Sequence, residues 1–120
     1  MQRSLITVSL IAILVASLAL PALAGQTFSF HNPTGFSVWV TFYEAGSGKN
    51  AKTLCLRPRG NATWYKGNGG NFIKSLLGEA RKNNNCQNSG RIWYLRDNNV
   101  RSNGDIIKTI TEHANGGLSW

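Results

Sequence analysis

The side chains of this sequence that can transfer protons in a reaction are few and scattered. They are two histidines and five carboxylates, namely His31, His113, Glu44, Glu79, Glu112, Asp97 and Asp105. A histidine and a glutamate as acid and base, with an arginine to hold a phosphate, would suit a secreted nuclease. No two of these residues stand at a spacing that a mechanism requires, so we predict no catalytic residue and keep a nuclease-like hydrolase as an alternative.

Metal and nucleotide sites have less support. His31 and His113 are far apart in the chain, and neither an Asp-x-Asp nor a His-x-x-x-His pattern occurs. The glycine-rich run at residues 67–70 lacks the lysine and the spacing of a phosphate-binding loop, and a surface turn explains it. We therefore expect no metal ion and no cofactor.

Aromatic and basic residues form a more promising set. Flat rings on a sheet can stack on sugars or bases, and arginines beside them can hold carboxylate, sulfate or phosphate. Burial in the core explains any single ring, but a domain this small has little room for all of them. The predicted binding residues are four aromatic and four basic ones: Trp39, Tyr43, Trp64, Trp93, Arg57, Arg59, Arg91 and Arg96.

The first 24 residues have the three parts of a secretory signal peptide. An early Arg3 precedes an apolar run, and Ala22 and Ala24 stand two apart before the predicted cleavage after Ala24. An uncleaved membrane anchor is the alternative, but the apolar run is short for a spanning helix. We predict a secreted or periplasmic protein with one domain at residues 25–120.

The charge of the chain indicates the class of partner. The full sequence carries a formal net charge of +8, and without Arg3 the mature chain keeps +7. This excess attracts anionic partners, although charge alone selects none of them and solubility is the simpler explanation. Anionic polysaccharide, a glycan or an acidic protein are the expected partners, ahead of nucleic acid or an anionic membrane.

The only two cysteines, Cys55 and Cys86, are predicted to form a disulfide, because export leads to an oxidising compartment. No other cysteine stands at metal-ligand spacing, which disfavours a metal site. In the chain-entropy model a loop of this length contributes about 3 to 4 kcal/mol to stability.

The strongest strand signal is residues 36–43, around which the rest of the chain is organised. Phe36, Val38 and Val40 fall on one face of this segment, and Trp39 and Tyr43 fall on the other. Such a strand is either covered on both sides or presents an aromatic surface. Further strands are predicted from alternation and flanking turn residues at 27–31, 53–56, 62–66, 91–96 and 106–111, the last of which would also suit a short helix.

Residues 72–81 are harder to assign. Apolar residues recur there at helical spacing behind Asn71, which favours a helix, whereas Gly78 argues against one and leaves a strand at 73–82 as the alternative. A helix here would carry an apolar stripe flanked by Lys74, Arg81 and Lys82, the pattern of a membrane-surface helix. A membrane-active cationic protein is therefore a second alternative function.

Short strands between Asn- and Gly-rich turns, together with a disulfide, predict an all-β fold, possibly with one short helix. The expected architecture is a small antiparallel β-sandwich or barrel closed by Cys55 and Cys86. The expected function is non-catalytic binding of an anionic or glycan-like partner, such as an envelope polysaccharide or an acidic protein, in an inhibitor or defence role.

Overall fold

A computed structural model describes residues 25–67, 69–87 and 90–120, so the predicted signal peptide lies outside the described residues. Every regular element in the described part of the chain is a strand. The strands are β1 (Gln26–His31), β2 (Ser37–Glu44), β3 (Asn50–Leu56), β4 (Asn61–Lys66), β5 (Ile73–Arg81), β6 (Trp93–Asp97), β7 (Gly104–Thr109), β8 (Thr111–Glu112) and β9 (Leu118–Ser119).

The strands form two main sheets and a small hairpin. One sheet has the order β4-β1-β7, the other has the order β3-β2-β5-β6, and β8 pairs with β9. All pairs are antiparallel except β1 with β7, which run parallel. The connection between these two strands contains the whole four-stranded sheet, and parallel neighbours need such a long crossover. The predicted all-β sandwich is confirmed, with this one parallel pair added.

The core lies between the two sheets and contains the alternate apolar residues of each strand. Phe28 and Phe30 of β1 contact Phe42 of β2 edge to face, with ring centroids 5.0 and 5.8 Å apart. Val38 and Val40 of β2 are fully buried beside them. The alternation that predicted β2 is therefore the alternation that fills the core, as expected for a strand with one inward face.

The helix favoured at residues 72–81 is wrong and the alternative strand at 73–82 is confirmed, because this segment is β5. It lies between β2 and β6, and Ile73, Leu76 and Ala80 are buried against the opposite sheet. Pairing with strands on both sides satisfies its backbone, and this long-range pairing outweighs a local helical spacing. The amphipathic helix on which the membrane-active alternative rested is not formed.

Two buried amide side chains connect separate segments. The Nε2 group of Gln26 donates to the carbonyls of Ile73 and Arg101 at 2.9 and 2.6 Å, and its Oε1 accepts from the Ile73 N–H at 2.7 Å. Asn32 likewise donates to the carbonyls of Phe36 and Arg57. These bonds go to backbone groups at strand ends and in loops, so both amides tie loops to the sandwich.

The disulfide between Cys55 and Cys86 is present as predicted, with Cα atoms 6.0 Å apart. It joins the end of β3 to the loop after β5. Cys86 has a left-handed backbone conformation, with φ of 59°, and its N–H donates to Ser37 Oγ at 3.0 Å. A disulfide is compatible with an oxidising compartment.

An ion pair joins the end of β6 to β7. Lys108 Nζ lies 2.6 Å from Asp97 Oδ2, and the Asn99 N–H donates to Asp97 Oδ1 at 2.9 Å. Burial acts to raise the pKa of Asp97, but the hydrogen bonds from Lys108 and Asn99 and the charge of Lys108 together hold it below its ordinary value. The ionised carboxylate is therefore the form that the fold favours.

The C-terminal segment is ordered and reaches the core. The β8–β9 hairpin closes where the His113 N–H donates to the Gly117 carbonyl at 2.8 Å, and Trp120 packs near Phe30 with a centroid distance of 6.2 Å. The terminal tryptophan therefore pins the C-terminal tail to the sandwich. Within the described ranges, no helix is long and apolar enough to cross a membrane.

Candidate binding cleft

A cleft of about 360 Å³ opens at one end of the four-stranded sheet, where β2 begins, β5 ends and β6 begins. The β8–β9 hairpin forms its other wall. We call it the cationic cleft. Its lining residues are Phe36, Lys82, Arg91, Trp93, Glu112, Asn115, Gly116 and Gly117.

Aromatic rings and cations alternate in the cationic cleft. Phe36 and Trp93 meet edge to face, with centroids 5.1 Å apart. The guanidinium of Arg91 lies 4.9 Å from the Trp93 centroid, and Lys82 Nζ lies 5.7 and 5.9 Å from the centroids of Phe36 and Trp93. Ring faces attract cations, so the two positive groups are held over an apolar floor.

Strand geometry explains why these residues meet. Ser37 pairs with Arg81, so Phe36 and Lys82 are the next residues beyond the paired ends of β2 and β5. Trp93 begins β6 opposite Ala80, and Arg91 precedes it by two residues. Phe36 therefore lies beside residues that are more than 40 positions further along the chain, at one end of the four-stranded sheet.

The hairpin contributes a negative charge and a polar turn. Glu112 lies on β8 opposite Leu118 of β9, and Gly116 has a φ of 85° in the turn, a conformation that favours glycine. The Gly117 N–H donates to Asn115 Oδ1 at 3.0 Å, which orders the turn. A ligand in the cationic cleft would thus meet two cations, one carboxylate and an aromatic floor.

Among the predicted binding residues, Trp93 and Arg91 meet in the cationic cleft, and Trp64 lies elsewhere. Trp64 is partly buried and packs against the core. Its ring centroid is 4.7 Å from that of Phe42 and 5.9 Å from that of Phe28. These contacts give Trp64 a structural role in holding the two sheets together.

The outer face of the four-stranded sheet carries Trp39, Tyr43 and Arg96. Trp39 and Tyr43 are half-buried, while Arg96 is exposed with its guanidinium 5.7 Å from the ring centroid of Tyr94. Arg57 and Arg59 are exposed in the turn between β3 and β4, where Arg59 has a φ of 55°. The eight predicted residues therefore lie at four separate places.

Among the described residues, no hydrogen bond joins either histidine side chain to a carboxylate, so the histidines do not form an acid–base pair with one. His31 Nδ1 shares a hydrogen bond with Asn61 Oδ1, and His113 Nε2 lies 2.7 Å from Ser119 Oγ. In the described part of the chain, no group of three or more His, Cys, Asp or Glu residues is placed to hold a metal ion.

Sequence reasoning missed Phe36, Lys82 and Glu112 as lining residues. Phe36 was placed on one face of the predicted strand 36–43, and this residue is buried. Lys82 was named only as a flanking cation of the helix that is not formed. A signal existed in the alternative strand at 73–82, because antiparallel pairing of this strand with 36–43 would place Phe36 and Lys82 at the same end of the sheet. Nothing in the sequence indicated that the β8–β9 hairpin would close the other side.

The protein is thus a disulfide-bonded β-sandwich with a cationic, aromatic cleft at one end of its four-stranded sheet. Comparison of the chain with protein-family models, curated proteins and solved structures found no significant match. The functional argument therefore rests on the chemistry of the described residues.

Proposed function

We propose that this is a small exported binding protein whose cationic cleft takes the anionic groups of an acidic polysaccharide. The observation that carries the proposal is the placement of Lys82 and Arg91 over Trp93. Guanidinium and ammonium groups bind carboxylate or sulfate, and the exposed part of the half-buried Trp93 ring can contact the apolar face of a sugar ring. One cleft thus offers a partner for the negative group of an acidic sugar and a partner for its apolar face.

The aromatic floor favours a polysaccharide over an acidic protein. An acidic protein surface presents carboxylates on flexible chains, for which scattered lysines and arginines suffice. Here the two cations are held at ring-stacking distance within a cleft of about 360 Å³, close to the lower end of the range of about 300 to 1,000 Å³ for small-ligand sites. One or two sugar units fit such a volume better than a folded surface does.

The net charge of +7 on the predicted mature chain, which is the full-length value of +8 without Arg3, supports the proposal through attraction at longer range. A basic protein gathers near an anionic polymer whatever its detailed surface, and dissolved salt screens this attraction. Contact of a sugar with the Trp93 ring involves no net charge, so the contribution of this contact depends less on salt. Measurements at low and high salt can therefore separate the long-range attraction from the contacts in the cationic cleft.

The test is a titration of intrinsic tryptophan fluorescence with polygalacturonate and dextran sulfate, with neutral dextran as the control polymer. Binding is measured at low and high salt for the oxidised protein and for two double variants. The Lys82→Gln/Arg91→Gln variant removes the cations of the cleft. The Lys49→Gln/Lys52→Gln variant removes two cations near the β2–β3 turn, at the other end of the sheet.

Both double variants lose the same formal charge, so only the position of that charge differs. We expect the cleft variant to bind polygalacturonate about tenfold more weakly, corresponding to about 1.4 kcal/mol, and the control variant to change by about twofold or less. Equal losses in the two variants, or binding that vanishes at high salt, would show that only the overall charge matters. The proposed function would then be abandoned.

A further inference from the structure

A second hollow of about 300 Å³ lies on the outer face of the four-stranded sheet. It is lined by Trp39, Glu79, Arg81 and Cys86, and we call it the Trp39 hollow. It shares no lining residue with the cationic cleft.

The strand register extends the Trp39 hollow toward a second aromatic ring. Trp39 is the direct partner of Glu79 in the β2–β5 pair, and Glu79 is the direct partner of Tyr94 in the β5–β6 pair. Direct partners point to the same face of a sheet, so Trp39 and Tyr94 flank Glu79 with backbones about 10 Å apart. Tyr94 is 57% exposed, so this ring is open to a ligand.

The base of the Trp39 hollow is a fixed ion pair. Arg81 Nη2 lies 3.1 Å from Glu79 Oε2, and the side chains of Arg81 and Glu79 are 5% and 26% exposed. Arg81 holds the carboxylate in place, while a carboxylate can accept several hydrogen bonds at once. The pair is neutral as a unit, which distinguishes this hollow from the cationic cleft.

The rim of the hollow is also held in place. Cys86 is bonded to Cys55, the direct partner of Trp39 on β3. Ser37 Oγ donates to Asn83 Oδ1 at 2.6 Å and accepts from the Cys86 N–H at 3.0 Å. A wall that is already ordered loses little conformational entropy when a ligand binds.

We infer that the Trp39 hollow binds one ring of an uncharged saccharide. The apolar face of the sugar would stack on Trp39, Tyr94 would border its other side, and Glu79 would accept hydrogen bonds from its hydroxyls. The Glu79–Arg81 pair has no net charge that would attract an acidic sugar, whereas a neutral sugar supplies hydroxyl donors that the carboxylate can accept. This site goes beyond the proposed function, since it needs neither the cationic cleft nor an anionic ligand.

The experiment follows the indole N–H resonances of the ¹⁵N-labelled, oxidised protein during titration with cellotetraose, maltotetraose and chitotetraose. The Trp39 resonance is assigned from Trp39→Phe, and the Trp93 resonance from Trp93→Phe. We expect at least one of these neutral oligosaccharides, at millimolar concentration, to shift the Trp39 resonance and leave the Trp93 resonance unchanged. Because no net charge is involved, added salt should leave the shift intact.

Two variants locate the binding. Tyr94→Ala removes an exposed ring beside the hollow, and Tyr65→Ala removes a ring that is 60% exposed on the other sheet. Both rings project from the surface, so neither change should disturb the core. Tyr94→Ala should weaken binding about fivefold, and Tyr65→Ala should leave it unchanged. Oligosaccharide binding to Glu79→Gln is measured in the same way, and near-ultraviolet circular dichroism confirms that each variant is folded.

The inference is overturned if none of the three oligosaccharides shifts the Trp39 resonance, or if Tyr94→Ala and Tyr65→Ala bind equally well. Its failure is distinguishable from that of the proposed function. Polygalacturonate that shifts Trp93 but not Trp39 supports the cationic cleft alone, and cellotetraose that shifts Trp39 alone supports the hollow without the cleft.

Discussion

The indole of Trp120 packs directly against the backbone of Gly78 in the core. A Cβ atom built on Gly78 would lie 3.0 Å from Cζ3 of Trp120 and 3.1 Å from Cγ1 of Val38. Both distances are tighter than ordinary van der Waals contact. The absence of a side chain at Gly78 therefore makes room for Trp120 between the sheets.

Gly78→Ala should consequently lower the free energy of unfolding by about 1 to 3 kcal/mol, because an overfilled core forces its neighbours to shift. Urea denaturation followed by circular dichroism measures the change. Gly35→Ala is the matched control, since a Cβ at Gly35 meets no atom within 4 Å. The control should stay within about 0.5 kcal/mol of the original protein.

A double-variant cycle isolates the contact itself. In the background of Trp120→Leu, a smaller side chain faces Gly78, so Gly78→Ala should cost less than it does in the original protein. An equal cost in both backgrounds would show that the strain comes from Val38 or from the backbone and not from the Trp120 indole.

Gln26→Leu should destabilise the protein by about 2 to 4 kcal/mol. The substitution leaves the Ile73 N–H and the carbonyls of Ile73 and Arg101 without their buried partner, and unsatisfied buried groups are costly. The free energy of unfolding is compared with that of Gln87→Leu, which alters an exposed glutamine. Similar values for the two variants would contradict the structural role of the Gln26 amide.

The ion pair of Asp97 and Lys108 should make stability depend on pH in the acid range. The pKa of Asp97 is lower in the folded state than its ordinary value of 3.8, so the folded state keeps this charge to lower pH. The resulting stabilisation, about 1 kcal/mol, is complete above roughly pH 5 and is lost as the pH falls through the folded pKa.

Asp97→Asn should therefore be less stable than the original protein at pH 7, and the difference should shrink below pH 4. Urea denaturation across this pH range measures it, with the exposed Asp105→Asn as the control. A difference that stays constant down to pH 2 would show that the Asp97 carboxylate acts through packing and not through its charge.

Glu112→Gln should strengthen the binding of polygalacturonate about two- to threefold. Glu112 lines the cationic cleft, where its negative charge opposes an anionic ligand. Glu44→Gln makes the same change of net charge at the end of β2 away from the cleft. Isothermal titration of both variants decides the matter, and an equal gain in the two would assign the effect to overall charge.

Local patterns in the sequence were sufficient for most of the fold. Alternating apolar residues placed β1, β2 and β4 to within one residue at each end, and the two cysteines predicted their own disulfide. These features depend on a residue and its near neighbours in the chain. Turn residues after each segment supplied the boundaries.

Patterns failed where the deciding neighbour is distant in sequence. Residues 72–81 have helical spacing, yet pairing with β2 and β6 makes them a strand. Gly78 was the local clue against a helix, and its structural reason is Trp120, 42 positions further along the chain. Spacing alone contains no information about such a partner.

The sequence by itself determined the strand-forming character, the disulfide and the excess of positive charge, because composition and short-range periodicity express them. Only the tertiary structure decided that Trp64 packs against the core, that Trp93 lies under Arg91 at a cleft, and that Trp39 faces outward beside Glu79. The physical reason is that a tryptophan gains a similar amount from burial in a core or in a binding site. The pairing of the strands around each tryptophan decides whether that ring lies in a core or in a binding site.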